Sequence, residues 1–571
     1  MVVSPSSQTP HPSAVAPRLG LFGFVVAGLG IGLAFIPEAN WSDLFQHPIR
    51  VERLGEVPET TIKGIRLFRL MLVVAAITWS LQPFIQRRLE KSLPVPLRQP
   101  DLQGGSGVLV VIVLLILAGM LLRGFRLQES LWYDEIAAMI SSSLHGPGPA
   151  LGNYHALANH AFHSALAAQS LQSLGDQDAE LALRLPAFLA GMACIPAMFA
   201  LGRAVGGNTL GLVAAGAITF MPVAILESVE ARGYSMVLLL AILATLAWLR
   251  MADGRRLAVP IYALVVSLGC WTHLVFACVP LGHALQAVFR AVRHEDERAI
   301  ASRWGLALLL GGVTSLTLIS PLVPDLLERR TEFVALDGDE PSIFGIEGWM
   351  ALLQLGGSWT WWAAWPGLLL VGFGLTEAWR WPRLRLASHA GIAGGFVTMV
   401  LVIGADSWIY ARFLVFLLVP AALLQAAAIE GVATFLRRHG PAVALGTITL
   451  IAWTISLVLL PPKQPIREGV ELARSLAGAE STIWSIGLGD DVAMFYTEGR
   501  GPRLIHAPRL GSGLDGNSLA VGPDVALVLY PDLIDEKTNQ RLSAAGFKVV
   551  QRFDGWLDWG QGDVLVLQRS D

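Results

Sequence analysis

Long apolar runs separated by short polar connections fill the chain from near its beginning to about Pro461. Runs that reach the ~20 residues a helix needs to cross the hydrocarbon core read as membrane spans. They fall at 19–36, 65–84, 105–124, 181–202, 207–226, 233–250, 257–275, 276–292, 304–324, 365–379, 388–405, 411–432 and 441–461, thirteen windows of which 276–292 and 365–379 are the weakest. From Ile466 the pattern changes. A helix-type stretch, IREGVELARSLAG, precedes short β-type runs, STIWSIG, RLIHAP, DVALVLY, FKVVQRF and DVLVLQR, with helical stretches such as DEKTNQRLSAAG between some of them. Strands alternating with helices predict a small α/β domain. The expected fold class is a polytopic α-helical membrane protein with about thirteen transmembrane helices and a small C-terminal soluble α/β domain.

Composition excludes a soluble enzyme. Of 571 residues, 41 are Lys or Arg and 44 are Asp or Glu, or 15%, where a soluble protein carries roughly 25%. Of these 85 charges (41 + 44), 26 fall after residue 461, a soluble density over 110 residues. The expected domains are a Pro/Ser-rich disordered cytoplasmic tail at 1–18, two transmembrane helices within 19–104, a membrane domain at 105–461 with a long first outer loop at 125–180, and the α/β domain at 462–571. A net charge of −3 points away from nucleic acid and from a polybasic membrane-surface patch. Cys194, Cys270 and Cys278 lie in apolar stretches without metal-type spacing and read as buried small hydrophobes.

Lys and Arg are retained on the cytoplasmic side, and with the N-terminus inside, every alternate loop agrees. Arg87, Arg88, Lys91 and Arg98 fall inside, as do Arg203, Arg250, Arg255 and Arg256, then Arg290 to Arg303, Arg380 to Arg385, and Arg437 and Arg438. The opposite loops are acidic or neutral, 325–364 above all. Arg66 and Arg69, at the outer end of the second span, dissent. This orientation predicts a multi-pass protein of the inner (cytoplasmic) membrane with its C-terminal domain extracytoplasmic.

Ionisable residues near membrane depth are expensive to keep and mark candidate chemistry. Loop 125–180 opens with Glu129-Ser130-Leu131-Trp132-Tyr133-Asp134-Glu135. A partly desolvated Asp134 there suits proton abstraction from a hydroxyl or a divalent metal; a helix cap flanked by aromatic interface anchors is the other reading. His155, His160 and His163 follow, but their spacing completes no zinc motif. Between the fifth and sixth spans, Glu227-Ser228-Val229-Glu230-Ala231-Arg232-Gly233-Tyr234 holds two acids, an arginine and a tyrosine together. Arg232 suits a phosphate oxyanion and Glu230 could orient it, against a plain ion pair bracing a hairpin. Thr272-His273 and Tyr410-Ala411-Arg412-Phe413 lie at other outer ends, and Arg412 is a second phosphate candidate. The tryptophans at 359, 361, 362 and 365 suit an interfacial belt.

The order WYDE, Asn159-His160-x-Phe162-His163-Ser164, Leu183-Arg184-Leu185-Pro186, EARGY, Thr272-His273 and a late Ala411-Arg412-Phe413 resembles the GT-C fold polytopic glycosyltransferases of family 39 type, related to protein O-mannosyltransferases and the aminoarabinose transferase of lipid A modification. The resemblance covers about Arg126 to Glu430. It implies a catalytic base at Asp134 with Glu135 beside it, donor phosphate and sugar contacts from Glu230, Arg232, Tyr234, His273 and Arg412, and polar loop residues Asn159, His160 and Arg184. Members often carry proline after the loop histidine, where this chain has alanine after both His155 and His160; the distance to Arg184 favours His160. The two spans before Arg126 precede the usual family core.

The implied function is transfer of a sugar from a polyprenyl-phosphate donor to a protein, lipid or glycan acceptor outside the cytoplasmic membrane. Membrane lipid is the surrounding partner, and a divalent metal, held by Asp134 or Glu230, is the one cofactor left open. The alternative is a lipid or glycan transporter or flippase. Transporters place polar residues at mid-membrane between inverted repeats, whereas no internal repeat is evident here and the polar clusters sit at the outer ends of spans.

Overall fold

The computed structural model describes residues 16–90, 105–154, 156, 159–175, 179–333, 344–436, 440–478, 482–487, 492, 495–496, 504–506, 522–557 and 561–570. Most of the expected tail, His155, and Lys91, Arg98, Arg437 and Arg438 among the orienting basic residues lie outside them. All thirteen predicted windows fall on helices. Among the described residues, nine helices are long and apolar enough to cross a membrane, or ten if one bent pair counts as a span.

The remaining windows depart for identifiable reasons. The first runs to Ala34 and then bends by 91° into Glu38–Phe45 at Pro37, which has no N–H to continue the helix. Window 207–226 is split, because helix Asn208–Phe220 stops at Met221 and Pro222 starts the short helix Pro222–Leu226. Helix Ala258–Thr272 ends where His273 turns extended and its Nδ1 accepts from Val275 N at 3.2 Å, capping the 3₁₀ segment Leu274–Ala277. Window 365–379 lies in Trp361–Ala378, which is outside the nine. Two of these breaks lead straight into the EARGY and Thr272-His273 segments.

The spans differ in depth. Tyr234–Ala252 and Ala411–Phe435 are each 78% buried within the protein, against 11% for Gly107–Gly124. The two central spans carry Tyr234 and Arg412 at their ends, so these site residues are set on the most buried of the spans.

The N-terminal helices brace the loop at 125–180. Arg50, on helix Pro48–Leu54, donates to Asn153 Oδ1 at 2.8 Å and to both oxygens of buried Asp325 at 2.9 and 3.1 Å. Asp325 also accepts from Tyr154 N at 2.8 Å. Arg66 pairs with Glu38 at 3.0 Å and Arg69 donates to Ala34 O at 3.0 Å, so the two dissenting arginines close the bend between the first two helices. Arg50→Ala strands a buried carboxylate and is expected to destabilise the protein by about 3 kcal/mol, read as a lower thermal denaturation midpoint in detergent micelles.

The C-terminal sheet contains all five predicted strand runs: β1 (Ile483–Ile486), β2 (Leu504–His506), β3 (Val525–Leu529), β4 (Phe547–Phe553) and β5 (Val564–Arg569), in the order β2-β1-β3-β5-β4. β1 pairs parallel with β2 and β3, and β5 pairs antiparallel with β3 and β4. Helix Ile466–Ala477 buries Ile466, Gly469, Val470 and Ala473, the 3–4 spacing of one helical face. Those residues join β3 and β5 in a hydrophobic core that continues into Leu131, Trp132, Ile136 and Met139 of loop 125–180. The change in composition at 462 is therefore not a break in packing.

Candidate active site

A cavity of about 580 Å³ lies against this loop, lined by Asp134, Asn159, His160, Arg232, His273 and Arg412 among others. These are six of the ten residues expected from the sequence. Glu135, Arg184, Glu230 and Tyr234 do not line it, and each has another place.

Helix Tyr133–Ser141 begins within the WYDE segment, which fixes the directions of its two acids. Successive helical residues point about 100° apart, so Asp134 and Glu135 cannot share a face. Asp134 faces the cavity, where its Oδ2 accepts from Arg412 Nη2 at 2.9 Å and lies 3.8 Å from Arg232 Nη2. Glu135 turns inward, with its side chain fully buried. It accepts from Arg184 Nε at 2.8 Å and Nη2 at 2.7 Å, from Ala231 N at 2.5 Å and from Trp132 N at 3.1 Å. Arg184 also donates to the carbonyls of Leu127, Glu129 and Ser130. Glu135, expected beside Asp134, thus ties three sequence motifs together and does not line the cavity.

The Asn159-His160, EARGY and Thr272-His273 segments meet at Gly233. Gly233 N donates to His160 Nδ1 at 2.8 Å, and a Cβ at Gly233 would lie 2.7 Å from Thr272 Cγ2 and 2.9 Å from that Nδ1. Only glycine admits the approach. Burial first, and the charge of Arg232 second, hold His160 well below the ordinary histidine pKa, so it is the neutral imidazole that such acceptance requires. Its ring lies 4.6 Å from that of His273 and 5.0 Å from that of Tyr234. Tyr234 OH accepts from Arg412 Nε at 3.2 Å, which orients the guanidinium from beneath. Asn159 Nδ2 donates to the carbonyls of Ala150 and Asn153 at 3.0 and 2.9 Å, shaping the loop at the cavity wall.

Four contributors have no signature in the sequence. Glu347, fully buried, accepts from Ala411 N at 2.5 Å and so sets the turn that presents Arg412. Lys463 Nζ pairs with Glu230 at 2.9 Å and lies 4.2 Å from the Trp132 ring centroid, so Glu230 meets a cation from beyond the last membrane helix. Gln464 and Tyr496 contact the backbone around Asp134. Prolines flanking Lys463-Gln464 were the one available hint of a fixed junction.

No group of three or more His, Cys, Asp or Glu side chains is arranged to hold a metal ion among the described residues. The two carboxylates expected as metal donors are engaged by cations, Asp134 by Arg412 and Glu230 by Lys463. Cys194, Cys270 and Cys278 are buried and free, as expected.

Residues 159–324 match the family described as dolichyl-phosphate-mannose-protein mannosyltransferase. No curated protein matches the chain. Among solved structures, ArnT from Cupriavidus metallidurans bound to undecaprenyl phosphate is 14% identical, with 81% of this chain and 98% of that one covered and a TM-score of 0.51. The apo form of the same protein gives 15% identity, the same coverage and a TM-score of 0.52. At such identity the likeness establishes the fold, and the fold is GT-C.

Proposed function

We propose that this GT-C chain is a membrane glycosyltransferase, moving a sugar from a polyprenyl-phosphate donor to a protein, lipid or glycan hydroxyl on the extracytoplasmic side of the inner membrane. The observation that carries the reading is the convergence of one carboxylate, Asp134, and two guanidinium groups, Arg232 and Arg412, on one cavity at the ends of the two most buried spans. The family match over 159–324 and the undecaprenyl phosphate in a solved structure of the same fold support a lipid-phosphate donor.

Asp134 takes the proton of the acceptor hydroxyl as that oxygen attacks the anomeric carbon. The bond from the anomeric carbon to the phosphate oxygen breaks, and its electron pair leaves with the polyprenyl phosphate. Arg232 and Arg412 stabilise the charge gathering on that phosphate. The donor set around Asp134 does not fit a divalent ion, since its carboxylate already faces two cations. Inversion at the anomeric carbon is what the resemblance to the family 39 type enzymes implies.

Arg412 pairs with Asp134, and in this reading the donor phosphate is its second anionic partner. Donor binding draws Arg412 toward the phosphate and leaves the carboxylate to the acceptor, so donor precedes acceptor. Arg412→Ala is expected to weaken donor binding by about 2 kcal/mol or more, and Arg412→Lys to recover only part of it, because an ammonium lacks the planar fork. Equilibrium binding of polyprenyl phosphate to the solubilised protein checks both; equal affinity in all three proteins sinks the assignment. A transporter reading finds less support, since the polar residues cluster at the ends of spans rather than at their middle.

A further inference from the structure

The chain leaving the last membrane helix, Gly440–Leu459, passes beside the turn that carries Asp134, and residues beyond it satisfy that turn's backbone. The first N–H groups of a helix have no partner within it. Here Tyr133 N donates to Gln464 Oε1 at 2.9 Å and Leu131 N to Tyr496 OH at 2.8 Å. Ser130 Oγ accepts from Arg467 N at 3.0 Å, and Arg467 pairs with Glu180 at 2.9 Å. Gln464 is fully buried, so its amide has no freedom to exchange this contact for water.

A second observation points the same way. Tyr530, at the end of β3, has φ 55° and ψ 62°, a left-handed backbone that a bulky residue adopts only under constraint. Its ring meets Tyr133 edge-on, with centroids 5.7 Å apart. Burial, and after it the nearby Asp134 charge, keep the Tyr530 phenol well above the ordinary tyrosine pKa. The strained residue of the C-terminal domain thus sits against the residue preceding the proposed base.

We infer that the C-terminal α/β domain is a positioning unit for the Asp134 turn, with Gln464 and Tyr496 as positioning residues that hold the backbone of 131–133 so that the Asp134 carboxylate faces Arg412 and the cavity. The inference rests on the proposed role of Asp134 for its kinetic consequence, but the contacts themselves are testable without it. The domain is then required for the chemical step, whatever further surface it offers to an acceptor.

The test uses the full chain in lipid nanodiscs with two near-isosteric variants. Gln464→Met keeps length and volume but removes the acceptor, and Tyr496→Phe removes only a hydroxyl. Each is expected to raise amide hydrogen exchange at residues 130–136 by about tenfold, the scale set by one buried donor left unsatisfied, with exchange in β3 unchanged. Each is expected to lower kcat by a similar factor while KM for the polyprenyl-phosphate donor stays fixed, because the phosphate-facing arginines are untouched. Unchanged exchange at 130–136, an equal rise across β3, or faster exchange with wild-type kcat would overturn the inference. If the wild-type protein transfers no sugar, the functional reading fails while the exchange measurement still decides whether the domain holds the turn.

Discussion

Asp134→Asn is expected to abolish sugar transfer, lowering kcat by about 10²–10⁴-fold, the usual contribution of a positioned general base. Asparagine has the size of aspartate, and its carbonyl oxygen can still accept from Arg412 Nη2, now 2.9 Å from Asp134 Oδ2. It cannot take a proton from the acceptor. The protein should therefore fold and bind donor. Donor affinity should even rise, because the carboxylate that competes with the phosphate for Arg412 is gone. Single-turnover transfer from a labelled donor, alongside equilibrium binding of polyprenyl phosphate, separates the two effects. Equal loss of binding and rate would mean that Asp134 serves to organise the site and not to accept the proton.

The neighbouring acid should behave in the opposite way. Glu135→Ala leaves Arg184, whose side chain is 3% exposed, as a buried charge without its carboxylate, and leaves Trp132 N and Ala231 N without their acceptor. Removing one member of a buried pair costs about 3–5 kcal/mol, a large part of what holds a domain folded. The expected result is poor accumulation and a sharply lowered denaturation midpoint, with activity lost in proportion to folded protein. Activity per folded molecule that drops as far as in Asp134→Asn, at normal stability, would restore Glu135 to the chemistry.

These adjacent acids show what the sequence can and cannot convey. Hydropathy reports how long a segment stays apolar, so the thirteen windows and the five strand runs were legible. The order of the short motifs was legible too, and six of ten expected residues line one cavity because the polar ends of buried spans have few other places to go. The direction of each side chain was not. Whether residue 134 or 135 faces the cavity depends on the turn at which helix Tyr133–Ser141 starts, and that start is fixed by Glu135 reaching back to Trp132 N.

Contacts between distant parts of the chain were equally hidden. Glu230 meets Lys463 and Tyr133 meets Gln464 across hundreds of residues, and no local pattern marks either pair. The breaks at Met221 and His273 escaped the hydropathy windows because both segments stay apolar across them, although Pro222 is a stop that the sequence displays. The N-terminal helices have a physical role only once Arg50 is seen on Asp325.

The central claim is that this cavity breaks a bond between a sugar and a polyprenyl phosphate. The most direct measurement supplies wild-type and Asp134→Asn protein, reconstituted in vesicles, with a polyprenyl-phosphate-linked labelled sugar and cell-envelope acceptors, and follows the label and the free polyprenyl phosphate together. The account predicts label on the acceptor with stoichiometric release of polyprenyl phosphate for the wild type, and neither for Asp134→Asn. Labelled lipid that crosses the bilayer with its sugar still attached, or transfer at the wild-type rate by Asp134→Asn, would contradict it.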